Sequence, residues 1–216
     1  MIEKIKKLLA ENGITEVGFC RLNKDQNPFG LGFGISYLVP LSRAVVEGIT
    51  NAPTHTYFHH YRTVNAFVDN LSLKIGLLLA SEGFDYAAIP ASQSVNGLQG
   101  IFSHKLAASL SGLGAVGKSG LFVSEKFGPR VRLATVLTDF PFDIENAVPK
   151  SPCGDCRLCA DNCPAMAISG NQWNSGDDRE IIVDAKACSD YMKKEFQHIG
   201  RGVVCGICMK VCPFGK

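Results

Sequence analysis

The sequence predicts an α/β (α+β) layer domain over residues 1–140, a linker at 141–152 and a small metal-held domain over 153–216. Three observations lead there. Helical and strand-like apolar periods alternate up to Asp139, the pattern of a sheet covered by helices. The stretch 140–152 then holds three prolines and no periodicity. Eight of the nine cysteines fall between Cys153 and Cys212. With 46% hydrophobic and 19% charged residues the chain is not disordered. A formal net charge of +2 argues against nucleic-acid binding by bulk charge.

The elements follow in order. Residues 2–11 form an amphipathic helix stopped by Gly13, and 15–22 and 33–39 read as strands. Between residues 60 and 82, Val64, Phe67, Val68, Leu71, Ile75, Leu78 and Leu79 recur at helical spacing, ended by Gly83. A short strand at 86–89 precedes Pro90, an Ala-rich helix covers 104–110, and 121–124 and 131–138 are strands. Cys20 sits alone in an apolar strand and reads as a buried filler. The N-terminus lacks the apolar core of a signal peptide, and the long charge-free stretches are broken by Pro, Gly and polar residues, so the expectation is a cytoplasmic protein with no membrane span. In a reducing compartment dense cysteines are metal ligands before they are disulfides.

Cys153, Cys156, Cys159 and Cys163-Pro164 read C-x-x-C-x-x-C-x-x-x-C-P, the run of two-cluster bacterial ferredoxins, whose fourth cysteine ligates the other cluster. Cys205, Cys208 and Cys212-Pro213 repeat its end, and Cys188 supplies the missing thiolate. One 4Fe-4S cluster is therefore assigned to Cys153, Cys156, Cys159 and Cys212, the other to Cys188, Cys205, Cys208 and Cys163. Structural zinc is the competing reading, but zinc needs neither a third cysteine at two-residue spacing nor a Cys-Pro ending. Each oxidised cube with its thiolates carries about −2, which turns the formal +2 into about −2 and weakens a nucleic-acid role further. So few residues form too small a core on their own, so bound metal is expected to supply much of this domain's folding energy.

The segment from Gly112 to Ser119 satisfies both G-x-G-x-x-G and G-x-x-x-x-G-K-S. Both phosphate motifs require a strand before the loop and a helix after it. Here a helical stretch precedes and the strand-like Gly120-Leu-Phe-Val follows, so a nucleotide site is not expected, even though Val136-Leu-Thr-Asp139 imitates a Mg²⁺-binding strand end. A helix-turn-strand with close backbone approach fits better.

Residues 103–108, 112–121, 127–139, Cys188-Ser-Asp-Tyr-Met and Cys212-Pro-Phe together resemble the epoxyqueuosine reductases and the reductive dehalogenases. The resemblance runs across nearly the whole chain. It implies a nitroreductase-like α/β domain that cradles cobalamin, followed by a two-cluster ferredoxin-like domain that feeds it electrons. Two departures stand out. The segment from Ile89 to Val95 holds no carboxylate where epoxyqueuosine reductases carry an acidic residue, and the chain stops at Lys216 without their helical repeats, so an activity other than queuosine synthesis is expected.

Several residues are candidates on the cofactor side. The run from Pro53 to Tyr61 packs His55, His59 and His60 with Tyr57 and Tyr61 ahead of the long helix; imidazoles and phenols can move protons near neutral pH. Tyr57, Tyr61 and His104 are the candidate catalytic residues. Ser92, Gln93, His104, Gly112, Gly114, Gly117 and Lys118 are the candidate cofactor-binding residues. Arg130 and Arg132, two apart on a strand, are read as structural and on one face. The expected activity is an iron-sulfur reductase whose clusters pass electrons to a corrinoid, with flavin as the alternative cofactor. A low-potential donor of ferredoxin or flavodoxin type would reduce it, and a small organic molecule would be its substrate. The alternative function is an electron-transfer or reductive-activation partner of a corrinoid protein, without substrate chemistry of its own.

Overall fold

The computed structural model describes residues 1–95, 97–174, 177–200 and 204–215. Helix α1 (Ile2–Glu11) leads into strands β1 (Val17–Arg21) and β2 (Phe33–Pro40); a short α2 (Arg43–Glu47) follows, then the long α3 (His55–Ser81). Strand β3 (Tyr86–Ile89), α4 (His104–Leu110), the short strands β4 (Gly114–Val116) and β5 (Phe122–Ser124), and β6 (Val131–Thr138) complete the first 140 residues. Beyond them lie α5 (Leu158–Asp161), α6 (Ala185–Phe196) and α7 (Ile207–Val211). A mixed α/β fold is thus present, with every expected helix and strand of the first part in place.

Long α3 begins five residues before the expected start. Its first turn is capped by Thr54, whose hydroxyl accepts from Tyr57 N at 3.0 Å. The His- and Tyr-rich run is therefore mostly helix rather than a stretch ahead of one.

Two compact units are formed, and neither is a single stretch of chain. One gathers residues 1–39, 64–113 and 132–149; the other gathers 40–63, 114–131 and 150–216.

The first unit is built on a four-stranded sheet in the order β1-β2-β6-β3. Strands β1 and β2 are antiparallel with Val17 opposite Tyr37, and β3 and β6 are antiparallel with Tyr86 opposite Thr138. Central β6 is buried along nearly its whole length, which accounts for apolar residues on both of its faces, at Leu133, Ala134, Val136 and Leu137. From α3, Val68, Leu71, Ile75 and Leu79 are fully buried, and from the strands Ile35, Tyr37, Val136 and Leu137. Among the described residues α3 is the one helix long and apolar enough to cross a membrane. These buried side chains make it a core helix instead. The Tyr37 hydroxyl donates to Val68 O at 2.7 Å and so has no proton left for Ser72 Oγ, 3.0 Å away; Ser72 donates back. Cys20 is fully buried beside Leu22, Ile89, Phe102, Ala107 and Leu137, and burial pushes its thiol up to about 11. It is a core filler.

The proline-rich stretch does not hang free of this unit. Phe142 is buried against Phe19 and Phe140, ring centroids 4.7 and 4.9 Å away, and Phe140 in turn meets Phe84. Asn146 bonds both backbone groups of Arg21, at 2.8 and 2.9 Å, in the manner of a neighbouring strand.

In the second unit β4 and β5 pair antiparallel, with Gly114 opposite Ser124. An isolated bridge joins Ile168 and Val183. Helix α6 is capped by Asp184, whose carboxylate accepts from Ala187 N at 2.9 Å, and α5 packs against α7.

Candidate iron-sulfur centres

All eight C-terminal cysteines lie in the second unit and are free thiols. Sequence spacing places them at corresponding points. Cys156, Cys159 and Cys163-Pro164 flank and occupy α5, as Cys205, Cys208 and Cys212-Pro213 flank and occupy α7. Gly206, with φ +81°, turns the chain into α7; a side chain there would also collide with Ile49 and the Tyr57 ring. Cys212 ends the helix with extended backbone, turning the chain out of the helical path at Pro213.

Because α5 and α7 pack together, the last thiol of each meets the other's set. Cys153, Cys156, Cys159 and Cys212 line one cavity, together with Cys208 and the apolar Val123, Leu158, Pro213 and Phe214. Proximity of thiols shows equally in their acidities. Burial raises Cys212, and the neighbouring Cys153 and Cys156 raise it further, while the Arg130 guanidinium lowers it. Cys159 is raised by burial and by Cys153 and Cys156. Cys188 is raised by burial and by Cys163, and burial, Cys188 and Cys163 push Cys205 up to about 11. Cys208 is raised most, by burial and then by Cys205, Cys188 and Cys163, with Cys159 adding a smaller effect. Two neighbourhoods result: 153, 156, 159 and 212 in one, 163, 188, 205 and 208 in the other. They adjoin at Cys159 and Cys208.

Such partly buried thiols bind metal only as thiolates, so loading releases protons and the metal supplies the compensating charge. Among the described residues no three His, Cys, Asp or Glu groups converge tightly enough for one metal ion. A zinc ion draws its sulfurs to within about 4 Å of one another. A cube of four irons with a thiolate at each corner spreads them wider, and the donor set fits that group.

The glycine segment lies beside this centre. A Cβ on Gly117 would stand 3.2 Å from Cys153 Sγ and 2.7 Å from Val123, and Ser119 lines the cavity. Around the hairpin turn Gly117 N donates to Leu121 O and Gly120 N to Gly117 O, both at 2.9 Å, so these amides are not offered to a phosphate. Helix α4 precedes the segment 112–119 and strand β5 follows it, the reverse of what a phosphate loop requires. The phosphate motifs are coincidental, as their context implied. Gly112 follows α4 with φ +76°, Gly114 begins β4, and Lys118 is buried.

The remaining candidates are distributed over both units. Tyr57 is buried, and its ring lies 6.5 Å from that of Tyr61. His55 Nδ1 is 2.9 Å from Ile199 O, and His60 Nε2 accepts from Ser42 N at 2.9 Å. His104 belongs to the first unit. Its Nε2 lies 3.0 Å from Pro90 O and must carry a proton to bond it; Nδ1 then accepts from the Thr135 hydroxyl at 2.9 Å. Burial lowers its pKa. Both nitrogens are thus engaged within the fold. Ser92 is exposed in the loop after β3, whereas Gln93 Nε2 is buried without a partner among the described residues.

Arg130 and Arg132 bond different parts of the chain. Arg130 precedes β6 and reaches carbonyls at 210, 212 and 214, whereas Arg132 bonds Asn65 Oδ1 at 2.7 Å and Ala91 O at 2.9 Å. The period of two applies only inside the strand, which begins at Val131. Arg130 is the residue the sequence concealed: its partners lie some 80 residues away.

Comparison with known proteins fits this geometry. Residues 152–215 match the 4Fe-4S double cluster binding domain. The C-terminal region is an iron-sulfur domain. An epoxyqueuosine reductase from Staphylococcus aureus is 34% identical over 117 residues, 53% of this chain and 30% of that protein. A tetrachloroethene reductive dehalogenase from Desulfitobacterium hafniense is 25% identical over 230 residues, 98% of this chain and 39% of that protein. The chain is a sequence relative of both families. It spans between 30 and 39% of the length of these curated relatives.

Solved structures share the fold. A reductive dehalogenase described with a mechanism for B12-dependent dehalogenation superposes over 99% of this chain and 31% of its own, with a TM-score of 0.80 and 21% identity. An epoxyqueuosine reductase bound to an epoxyqueuosine-modified tRNA-Tyr stem loop covers 98% of this chain and 64% of its own, with a TM-score of 0.61 and 18% identity. That neighbour removes the support for the expectation that nucleic acid is an improbable partner.

Proposed function

We propose that this chain is an oxidoreductase holding two 4Fe-4S clusters in crossed ligation. Cys153, Cys156, Cys159 and Cys212 hold one; Cys163, Cys188, Cys205 and Cys208 hold the other. The observation that carries the reading is the division of eight partly buried thiols into these two neighbourhoods, each completed by the last cysteine of the other's run. Bound there, the clusters would supply one-electron transfer at potentials reachable within about −700 to +450 mV.

The cofactor they serve is a corrinoid, by likeness to the dehalogenases, held by the α/β part at 1–140, with 141–152 leading into the cluster domain at 153–216; flavin is the lesser alternative. Cobalamin would supply a strongly reducing cobalt centre. Gln93 fits it: a buried amide donor without a partner among the described residues suits a ligand rich in amide carbonyls. His104, with both nitrogens engaged, orients β6 and the loop at Pro90 rather than donating protons. The substrate is a small organic molecule, the donor a low-potential ferredoxin or flavodoxin, and the compartment the cytoplasm. A second reading, an electron-transfer or activating partner of a corrinoid protein, is favoured by the segment 89–95, which lacks a carboxylate.

Anaerobic reconstitution tests the proposal. About eight irons and eight sulfides per chain are expected, followed by a spectral shift on mixing with cobalamin near micromolar concentration. Four irons or fewer overturns the two-cluster assignment. Eight irons with no cobalamin response removes the corrinoid.

A further inference from the structure

Arg130 is a charged side chain held deep in the second unit, only 3% exposed. Its guanidinium donates to Phe214 O at 2.7 Å and to Lys210 O and Cys212 O at 3.0 Å. It thereby caps the C-terminal end of α7, where carbonyls lack helical partners and carry partial negative charge. The same three bonds fix the Cys212-Pro213-Phe214 turn from which the fourth thiol of the first neighbourhood projects. The Nε group is buried with no partner among the described residues. The nearest carboxylate, on Glu47, is 3.9 Å away and partly exposed. Neutral carbonyls satisfy the hydrogen bonds but leave the charge, and Glu47 offsets it only in part. A buried cation is costly unless something negative lies within its field. The cavity lined by Cys153, Cys156, Cys159 and Cys212 is where that negative charge belongs.

We propose that Arg130 is a positioning residue that tunes one of the two clusters. It holds the Cys212 turn in place and raises that cluster's reduction potential by stabilising its reduced state. Adding one electron takes an oxidised cube and its four thiolates from a charge of about −2 to about −3, with no bond made or broken. A fixed cation nearby favours the more negative state. Glu47 acts in the opposite sense through Arg130. This inference rests on the cluster assignment above.

The test is a redox titration of anaerobically reconstituted holoprotein, reduced with dithionite and followed by electron paramagnetic resonance, with the iron content of each sample measured. The couple belonging to Cys153 is identified by its loss in Cys153→Ser. In Arg130→Gln that couple is expected to fall so that the reduced-to-oxidised ratio at fixed potential drops about tenfold, equal to ~59 mV for one electron. Arg130→Lys, which keeps the charge, is expected to restore most of the shift. Glu47→Gln is expected to move the same couple upward, and the other couple is expected to stay in place throughout. Full iron with both couples unmoved in Arg130→Gln overturns the proposal. So does loss of a cluster in Arg130→Gln together with no shift in Glu47→Gln, since Arg130 then only holds the turn. Failure of the unsubstituted protein to assemble two clusters sinks the cluster assignment instead.

Discussion

In the first unit, Tyr37, Leu71, Ile75 and Leu79 are fully buried, and Leu137 joins Cys20, Leu22, Ile89, Phe102 and Ala107 in one apolar cluster. In the second, residues 152–215 match a double cluster binding domain, and on the proposed ligation they are arranged around the groups they hold. Helix α5 has four residues and buries none of them, α7 has five, and α5 and α7 meet at their cysteines. Apolar residues such as Val123, Ile182, Phe196 and Ile207 do support the second unit, but its short helices fall far below the length at which helices persist alone. Side-chain contact thus accounts for the first unit, and the proposed metal ligation would add to it in the second.

Removing metal breaks the comparison most severely. Chelation of iron from the holoprotein is expected to expose 150–216 to proteolysis while 64–113 stays protected; equal loss of protection in both would show that the first unit also depends on metal. A single Cys208→Ser change is expected to lower the iron content from about eight to about four per chain, as measured by iron analysis.

Next in size is a cavity in the first unit. Leu71→Ala or Ile75→Ala, at fully buried positions, is expected to cost about 2–5 kcal/mol in denaturant unfolding. The cluster signals should be unchanged.

Gly117→Ala sharpens the boundary of the metal-dependent region. Its methyl would crowd Val123 and Cys153, at a cost of about 1–3 kcal/mol. It should perturb the resonance of one cluster only, a result that separates it from a core defect.

A smaller effect belongs to His104. Its pKa is lowered by burial, so as pH falls below about 6.5 the unfolded chain takes up a proton that the folded chain refuses. Stability is therefore complete above that pH and declines below it, by at most about 1.4 kcal/mol per pH unit. His104→Gln is expected to flatten this slope in denaturant melts at pH 7.5 and 5.5.

Legibility in the sequence follows the same division. Elements with an apolar period, such as α1, β2 and β6, are readable because the forces that form them are local or face a single core. The start of α3 is hidden because its cap, Thr54, precedes three histidines and two tyrosines that break the apolar stripe. Prolines at 141–152 suggest a free linker, yet the anchoring comes from Phe142 and Asn146, whose partners lie more than a hundred residues away. Ligand spacing makes the cysteine sets legible without any helix being recognised, since thiolate geometry imposes the order. Arg130 could not be read, because carbonyls at 210, 212 and 214 leave no mark in the side-chain pattern.

The central claim is that the two clusters are ligated across α5 and α7. Paramagnetic resonance of the dithionite-reduced holoprotein, compared among Cys153→Ser, Cys208→Ser and Cys212→Ser, tests it most directly. The account predicts that Cys212→Ser removes or alters the signal that Cys153→Ser removes, and leaves intact the signal that Cys208→Ser removes. If Cys212→Ser instead alters the signal lost in Cys208→Ser, each cysteine run holds its own metal and crossed ligation is wrong.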